Sequence, residues 1–317
     1  MRWPADEPFW LGVNLPWFTY GCDFGANRWQ PAGGISRPFR REHVRDVLGG
    51  LADRGASRVR WFMLADGRAG LLESTAGDPI GLDEEFWRDV DAGLEALERA
   101  GLSAIFVLFD FHWFTRARIV DGVRIGGRGL LASDPTRRRR LVDAVVGPLL
   151  ERYGRHPAIA AWDIVNEPEW VTRRVRLPLT AGVSRAAMRA FIRAIVEAVH
   201  RQTSHAATVG SASTRTLPLV EGLGLDLYQV HWYDRLAGKA PLDRPVGSLG
   251  LDRPVILGEF PTRGSGLAPS TILDAARRAG YAGALAWSAL ARDGASDAGA
   301  LASALAGPGG PAITTSE

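Results

Sequence analysis

Short runs rich in β-branched and aromatic residues alternate along the chain with longer stretches whose apolar positions recur every three and four residues. The runs fall at residues 10–17, 57–64, 103–114, 159–166, 207–213, 227–233, 254–260 and 281–290, and each is read as a strand. Helical spacing predicts helices at 40–54, 83–100, 135–153, 184–203, 217–223 and 272–279, with another at 297–306. The proline-rich segment between the sixth and seventh runs is a poor helix candidate. Punctuation agrees with these bounds: Asp134-Pro135 suits a helix start, and Gly55, Gly101 and Gly280 each separate a helix from the next strand.

Strands this continuously apolar, each followed by a helix, imply a parallel sheet buried on both faces. Eight units predict a single (β/α)8 TIM barrel over residues 1–306, with an open doubly wound sheet as the alternative. The remaining residues, 307–317 (GPGGPAITTSE), read as a flexible C-terminal tail. Neither an internal repeat nor a dividing linker is evident. The two longest loops, 115–133 and 168–183, both follow strands, on the face where barrels place their chemistry.

Composition then removes options. The 317 residues are 46% hydrophobic and carry a net charge of +3, with basic residues scattered along the chain, so a nucleic-acid partner is not expected. A single lysine, Lys239, argues against Schiff-base chemistry, and a single cysteine, Cys22, excludes intramolecular disulfides and thiolate clusters. Six histidines are few for a multi-histidine centre, and the first strand holds no His-x-His, so neither a metal nor a cofactor is expected. No apolar stretch is long enough to span a membrane. The opening MRWPADEPF is not a secretory leader. The expected location is therefore cytoplasmic for a full-length sequence and extracellular if a leader has been removed, as a monomer or small homo-oligomer.

Polar residues at strand ends carry the candidate chemistry. The fourth run closes on Asn166-Glu167-Pro168 and the seventh on Glu259-Phe260-Pro261, placing two carboxylates across the mouth of a barrel. Such a pair suits glycoside hydrolysis, one group protonating the leaving oxygen and the other attacking the sugar or activating water. Arg60, inside the apolar second run, requires a buried anionic partner, for which Glu259 is the candidate. That contact is expected to lower the pKa of Glu259 and hold it ionised, with Tyr233 donating to the same carboxylate. His112 ends the third run, His231-Trp232-Tyr233 the sixth, and Trp287 lies in the eighth.

This ordered set of Arg60, His112, Asn166-Glu167-Pro168, His231-Trp232-Tyr233, Glu259 and Trp287 resembles clan A of the glycoside hydrolases, and family 5 most closely. The resemblance implies a retaining β-glycoside hydrolase acting on glucosides or mannosides, with Glu167 as acid/base and Glu259 as nucleophile. The spacing alone does not assign those roles. The alternatives are a catalytically silent saccharide-binding barrel and a neighbouring clan A family of different sugar specificity. Among 11 tryptophans, Trp17, Trp113, Trp170, Trp232 and Trp287 fall at or just beyond strand ends around the carboxylates; of these Trp287, Trp113 and Trp232 are expected to contact sugar, while Trp61, Trp87 and Trp162 are expected to pack the core or a helix. Arg137–Arg140 read as a solvated face. The loop arginines Arg116, Arg118, Arg124, Arg128, Arg173, Arg174 and Arg176 offer themselves for recognition of an anionic substrate group, but this chain uses arginine almost wherever another would use lysine, which weakens that reading. The long loops and the missing leader lean toward exo action.

Overall fold

The computed structural model describes residues 3, 8–172, 182–234, 242, 244–290 and 293–306. Eight parallel strands close into a barrel: β1 Trp10–Asn14, β2 Arg58–Phe62, β3 Ser103–Asp110, β4 Ile159–Asn166, β5 Ala206–Ser211, β6 Tyr228–His231, β7 Val255–Pro261 and β8 Gly283–Trp287. Each pairs with its neighbours in sequence, and β1 pairs with β8 to complete the ring. All eight lie within or overlap the expected runs, and the open-sheet alternative is excluded by the β1–β8 pairing.

Helices cover the outside where the periodicity places them, at Pro38–Asp53, Glu84–Ala100, Arg185–Gln202, Pro269–Ala279 and Ala298–Ala306. The caps explain their limits. Asp83 accepts the Phe86 N–H at one start, Ser184 the Ala187 N–H at another, and Gly101 and Gly280 close two ends in the left-handed region. The segment expected to be one helix over 135–153 is interrupted by a π-turn at Val142–Val146, next to Gly147-Pro148, where proline removes a donor. The helix expected at 217–223 is instead a short 3-10 turn, Thr214–Leu219, with Pro218 inside it. No described helix is long and apolar enough to cross a membrane.

Two hairpins were not anticipated: Leu71–Glu73 with Pro79–Leu82 after β2, and Arg118–Val120 with Val123–Ile125 after β3. The connection after β1, residues 15–37, exceeds both of the loops named as longest. The expected tail, 307–317, lies outside the described residues, as do Arg173, Arg174, Arg176 and Lys239.

Inside the barrel, polarity is graded along the axis. The floor is an apolar plug of Trp10, Ile105, Ala161, Ala206, Leu227, Ile256 and Leu285, with Trp3 against it. One layer higher the inward positions become polar: Asn14, Arg60, Asp163, Gln229, His231 and Glu259 are all buried. The side-chain period of two puts Asn14, Asp163, Gln229 and His231 on the same face as the plug, and the register break in β7 brings Glu259 onto it three residues after Ile256. Register breaks at Asp163/Asn166, Val230/His231 and Leu257/Phe260 bend β4, β6 and β7 where they approach the C-terminal mouth.

Candidate active site

Arg60 organises the polar layer. Its guanidinium is fully buried and donates to Asp163 (2.9 Å), Asn14 (3.1 Å), Glu259 (2.8 Å) and Asn166 (2.7 Å). A buried cation without such partners would be prohibitively costly, so this fan of acceptors is a condition of folding as much as of chemistry. Asp163 also accepts from Gln229 Nε2 and from the Gly210 N–H, which fixes it beneath the cation. Asn166 passes the constraint outward by donating to Asp110 at the end of β3, and Asp110 pairs with the His112 ring.

Glu259, in β7, sits between Arg60 and the Tyr233 hydroxyl, which donates at 2.8 Å. Glu167 follows β4 with φ 46° and ψ 51°, a left-handed conformation unusual for a side chain this large. Its N–H is held by the Gly210 carbonyl at 2.7 Å, and Pro168 ends the strand. The carboxylate accepts from Trp170 Nε1 (2.8 Å) and lies 2.7 Å from His231 Nδ1. One oxygen of Glu167, one of Glu259 and a nitrogen of His231 all lie within 4.8 Å of each other.

This closeness of the two carboxylates bears on the chemistry. Carboxyl groups about 5 Å apart suit direct attack by one of them, whereas an inverting pair must stand roughly 6.5–9.5 Å apart to admit water. Burial pushes Glu167 up to about 7, against the pull of the Trp170 N–H, so it keeps its proton to a higher pH than an ordinary glutamate, which suits proton donation. Burial also raises Glu259 above the usual carboxylate range, while His231, Arg60 and Tyr233 draw it back. The expected net lowering by Arg60 does not occur, because burial outweighs it and Asp163 shares the same guanidinium. Glu259 nevertheless has a cation in direct contact and Glu167 has none, so Glu259 is the member of the pair to ionise first. Burial drops His231 to about 4. It is therefore a neutral ring, and with its proton on Nδ1 it donates to Glu167.

These groups open into a cavity of about 420 Å³ walled by Trp17, Tyr20, Phe62, Phe111 and Trp287, with His112 and Tyr233 also at its edge. An aromatic wall over two carboxylates fits the CH faces of a pyranose. Trp287 is where the strand-end reading put it, and donates Nε1 to Asp293. Trp113 and Trp232 are not. Trp113 is fully buried against Phe109, its Nε1 donating to the Leu64 carbonyl, because the 3-10 turn after β3 rotates it inward. Trp232, just past the end of β6, is half-buried against the core and does not line the cavity. Trp61 and Trp162 are core rings, and Trp87 packs against that core. Arg124 and Arg128 pair with Glu73, Arg137 and Arg140 with Asp78; these are scaffold contacts.

Sequence reasoning missed Asn14, Asp163 and Gln229, each a lone polar residue inside an apolar run. It also missed Tyr20 and Phe62 as walls, and Glu169, whereas Trp17 lies at the strand end where the sequence places it and lines the cavity. Glu169 is buried and raised to about 7 by that burial, accepting from the Ala212 N–H and the Thr216 hydroxyl.

No family model matches the chain. Its sequence is 24% identical over 328 residues to the mannan endo-1,4-β-mannosidase of Mytilus edulis, spanning 91% of this chain and 85% of that protein. The endo-1,4-β-mannanase of Eisenia fetida superposes with a TM-score of 0.78 at 21% identity, covering 95% of this chain and 91% of the other. A glycoside hydrolase family 5 mannosidase from Rhizomucor miehei superposes with a TM-score of 0.59 at 14% identity, covering 89% and 82%. The solved structures share the barrel fold of this chain, and the sequence likeness is to a mannan-cleaving enzyme.

Proposed function

We propose that this chain is a retaining β-mannanase of the family 5 type, cleaving β-1,4-linked mannan within the chain. The observation that carries the mechanism is the pair of carboxylates with oxygens within 4.8 Å, the buried Glu259 bonded to Arg60 and the partly buried Glu167 raised to about 7. The sugar specificity rests on the mannan-cleaving relatives, and their endo action replaces the lean toward exo action taken from loop length.

In the first step Glu259 attacks the anomeric carbon while Glu167 gives its proton to the departing oxygen. Arg60 and Tyr233 hold the Glu259 oxygens in place, so the nucleophile is oriented before substrate arrives. Glu167, now ionised, accepts from His231 Nδ1 and Trp170 Nε1, which stabilises the charge it has just gained. It then takes a proton from water, which attacks the glycosyl-enzyme and frees Glu259. The dry aromatic walls strengthen each of these electrostatic contacts.

Turnover of β-1,4-mannan, β-1,4-glucan and nitrophenyl β-mannoside tests the proposal. The wild type is expected to hydrolyse mannan, and Glu259→Ala to abolish turnover. Glu167→Ala is expected to lose roughly 10²–10⁴-fold on mannan and far less on the nitrophenyl substrate, which needs no proton. A wild type that binds mannan but turns over none of these substrates would instead mark a silent saccharide-binding barrel.

A further inference from the structure

The connection from β1 to the first helix, residues 15–37, is long for a segment without regular structure of its own, and such loops in compact barrels usually carry function. It is also thoroughly pinned. Asp89, fully buried, accepts the N–H groups of Gly25, Gly34 and Ser36. Asp23 accepts those of Phe18 and Thr19, and Asp83 that of Ala26. At the tip, Asn27 Oδ1 accepts the N–H groups of both Trp29 and Gln30 at 2.9 Å, and Gln30 is tied to the Cys22 carbonyl and to Arg40.

What this framework displays is a tryptophan. Trp29 is 40% exposed, and none of those tethers uses its ring. Beneath it lies Arg68, 5.6 Å from the Trp29 ring centre and 4.5 Å from that of Tyr20, with its guanidinium fixed by Asp66 at 2.5 Å. Gly21, at φ +64°, leaves room for the Arg68 stem, which a Cβ there would meet at 2.9 Å. Tyr20 in turn packs edge-on to Trp17 at 4.6 Å, and Trp17 to Trp287 at 6.2 Å. A continuous ridge of rings, bridged by one stacked arginine, thus runs from the carboxylates to an exposed platform outside the cavity.

We infer that Trp29 is a distal binding platform for the part of a neutral β-linked glycan that extends beyond the catalytic cavity, which rests on the functional reading above. The platform is rigid before binding, so little ordering entropy opposes the contact. The ring offers a flat apolar face to a pyranose, and Arg68 supports it from one side. Trp29 does not line the cavity that holds the carboxylates, so a monosaccharide glycoside seated there leaves it free and its contribution depends on chain length.

The test compares wild type, Trp29→Ala and Trp29→Phe on polymeric mannan, a mannohexaose and nitrophenyl β-mannoside, with melting curves alongside. Trp29→Ala is expected to lose about tenfold in kcat/KM on the two long substrates. It should show no change on the short one and an unshifted melting temperature, with Trp29→Phe recovering most of the loss. Equal loss on long and short substrates, or none on either, would overturn the platform. Failure of the wild type on all mannosides would overturn the functional reading instead, and retardation of wild type but not Trp29→Ala in a mannan-containing gel would still register the platform.

Discussion

Trp170→Phe isolates the device that tunes Glu167. The indole Nε1 donates to Glu167 Oε2 at 2.8 Å, a bond that favours the ionised form and so works against burial. Phenylalanine keeps a ring in the 3-10 turn Pro168–Val171 and deletes only the donor. Hydrogen bonds to charged groups are worth about 1.5–3 kcal/mol, and one pKa unit corresponds to about 1.4 kcal/mol. Trp170 is only half-buried, so the lower end applies and the shift is about one unit. The sign follows from the chemistry: losing a bond to the carboxylate raises the pKa, and the acid must be protonated at the start of the reaction. With Glu167 as the acid, the alkaline limb of kcat/KM is expected near pH 7 in the wild type and should move upward by about one unit in the variant. The assay is kcat/KM on a mannan oligosaccharide between pH 4.5 and 9, with a melting curve to confirm folding. A limb that stays in place or moves downward refutes the assignment of Trp170 as the group that holds Glu167 near neutrality.

Two further variants probe the supports of the dyad. A Cβ on Gly210 would lie 2.7 Å from Arg60 Nη2 and 3.0 Å from His231 Nε2, so Gly210→Ala must displace the groups that hold both carboxylates. It is expected to cost about 100-fold in kcat and about 1–3 kcal/mol of stability, whereas Gly49→Ala, whose Cβ meets nothing within 4 Å, should leave kcat unchanged. Glu169 has a folded-state value of about 7, above the usual carboxylate range, so it destabilises the fold increasingly as pH rises from about 4.5 to 7. Glu169→Gln should accordingly gain melting temperature relative to wild type at pH 8 and show less gain at pH 5; the reverse order would contradict the linkage.

The barrel was legible because each of its strands is an apolar run bounded by turn residues, and no long-range knowledge is needed to see that. The two glutamates were legible because each interrupts such a run at its end. Trp113 and Trp232 lie off the cavity for a physical reason: proximity to a strand end does not say which way a ring turns, and a 3-10 turn carries Trp113 inward while Trp232, just past the end of β6, packs on the core. Asn14, Asp163 and Gln229 left a weaker signal, a single polar residue in an apolar strand, whose meaning appears only when the ring closes around Arg60. The rigidity of residues 15–37 was not legible at all, since it depends on Asp83 and Asp89, carboxylates more than 50 residues away along the chain.

The central claim is that Glu259 and Glu167, with oxygens within 4.8 Å, act by double displacement. Its most direct test is proton NMR of the anomer first released from a β-mannoside, recorded before mutarotation. The account predicts the β-anomer, from two successive inversions; first appearance of the α-anomer would contradict it.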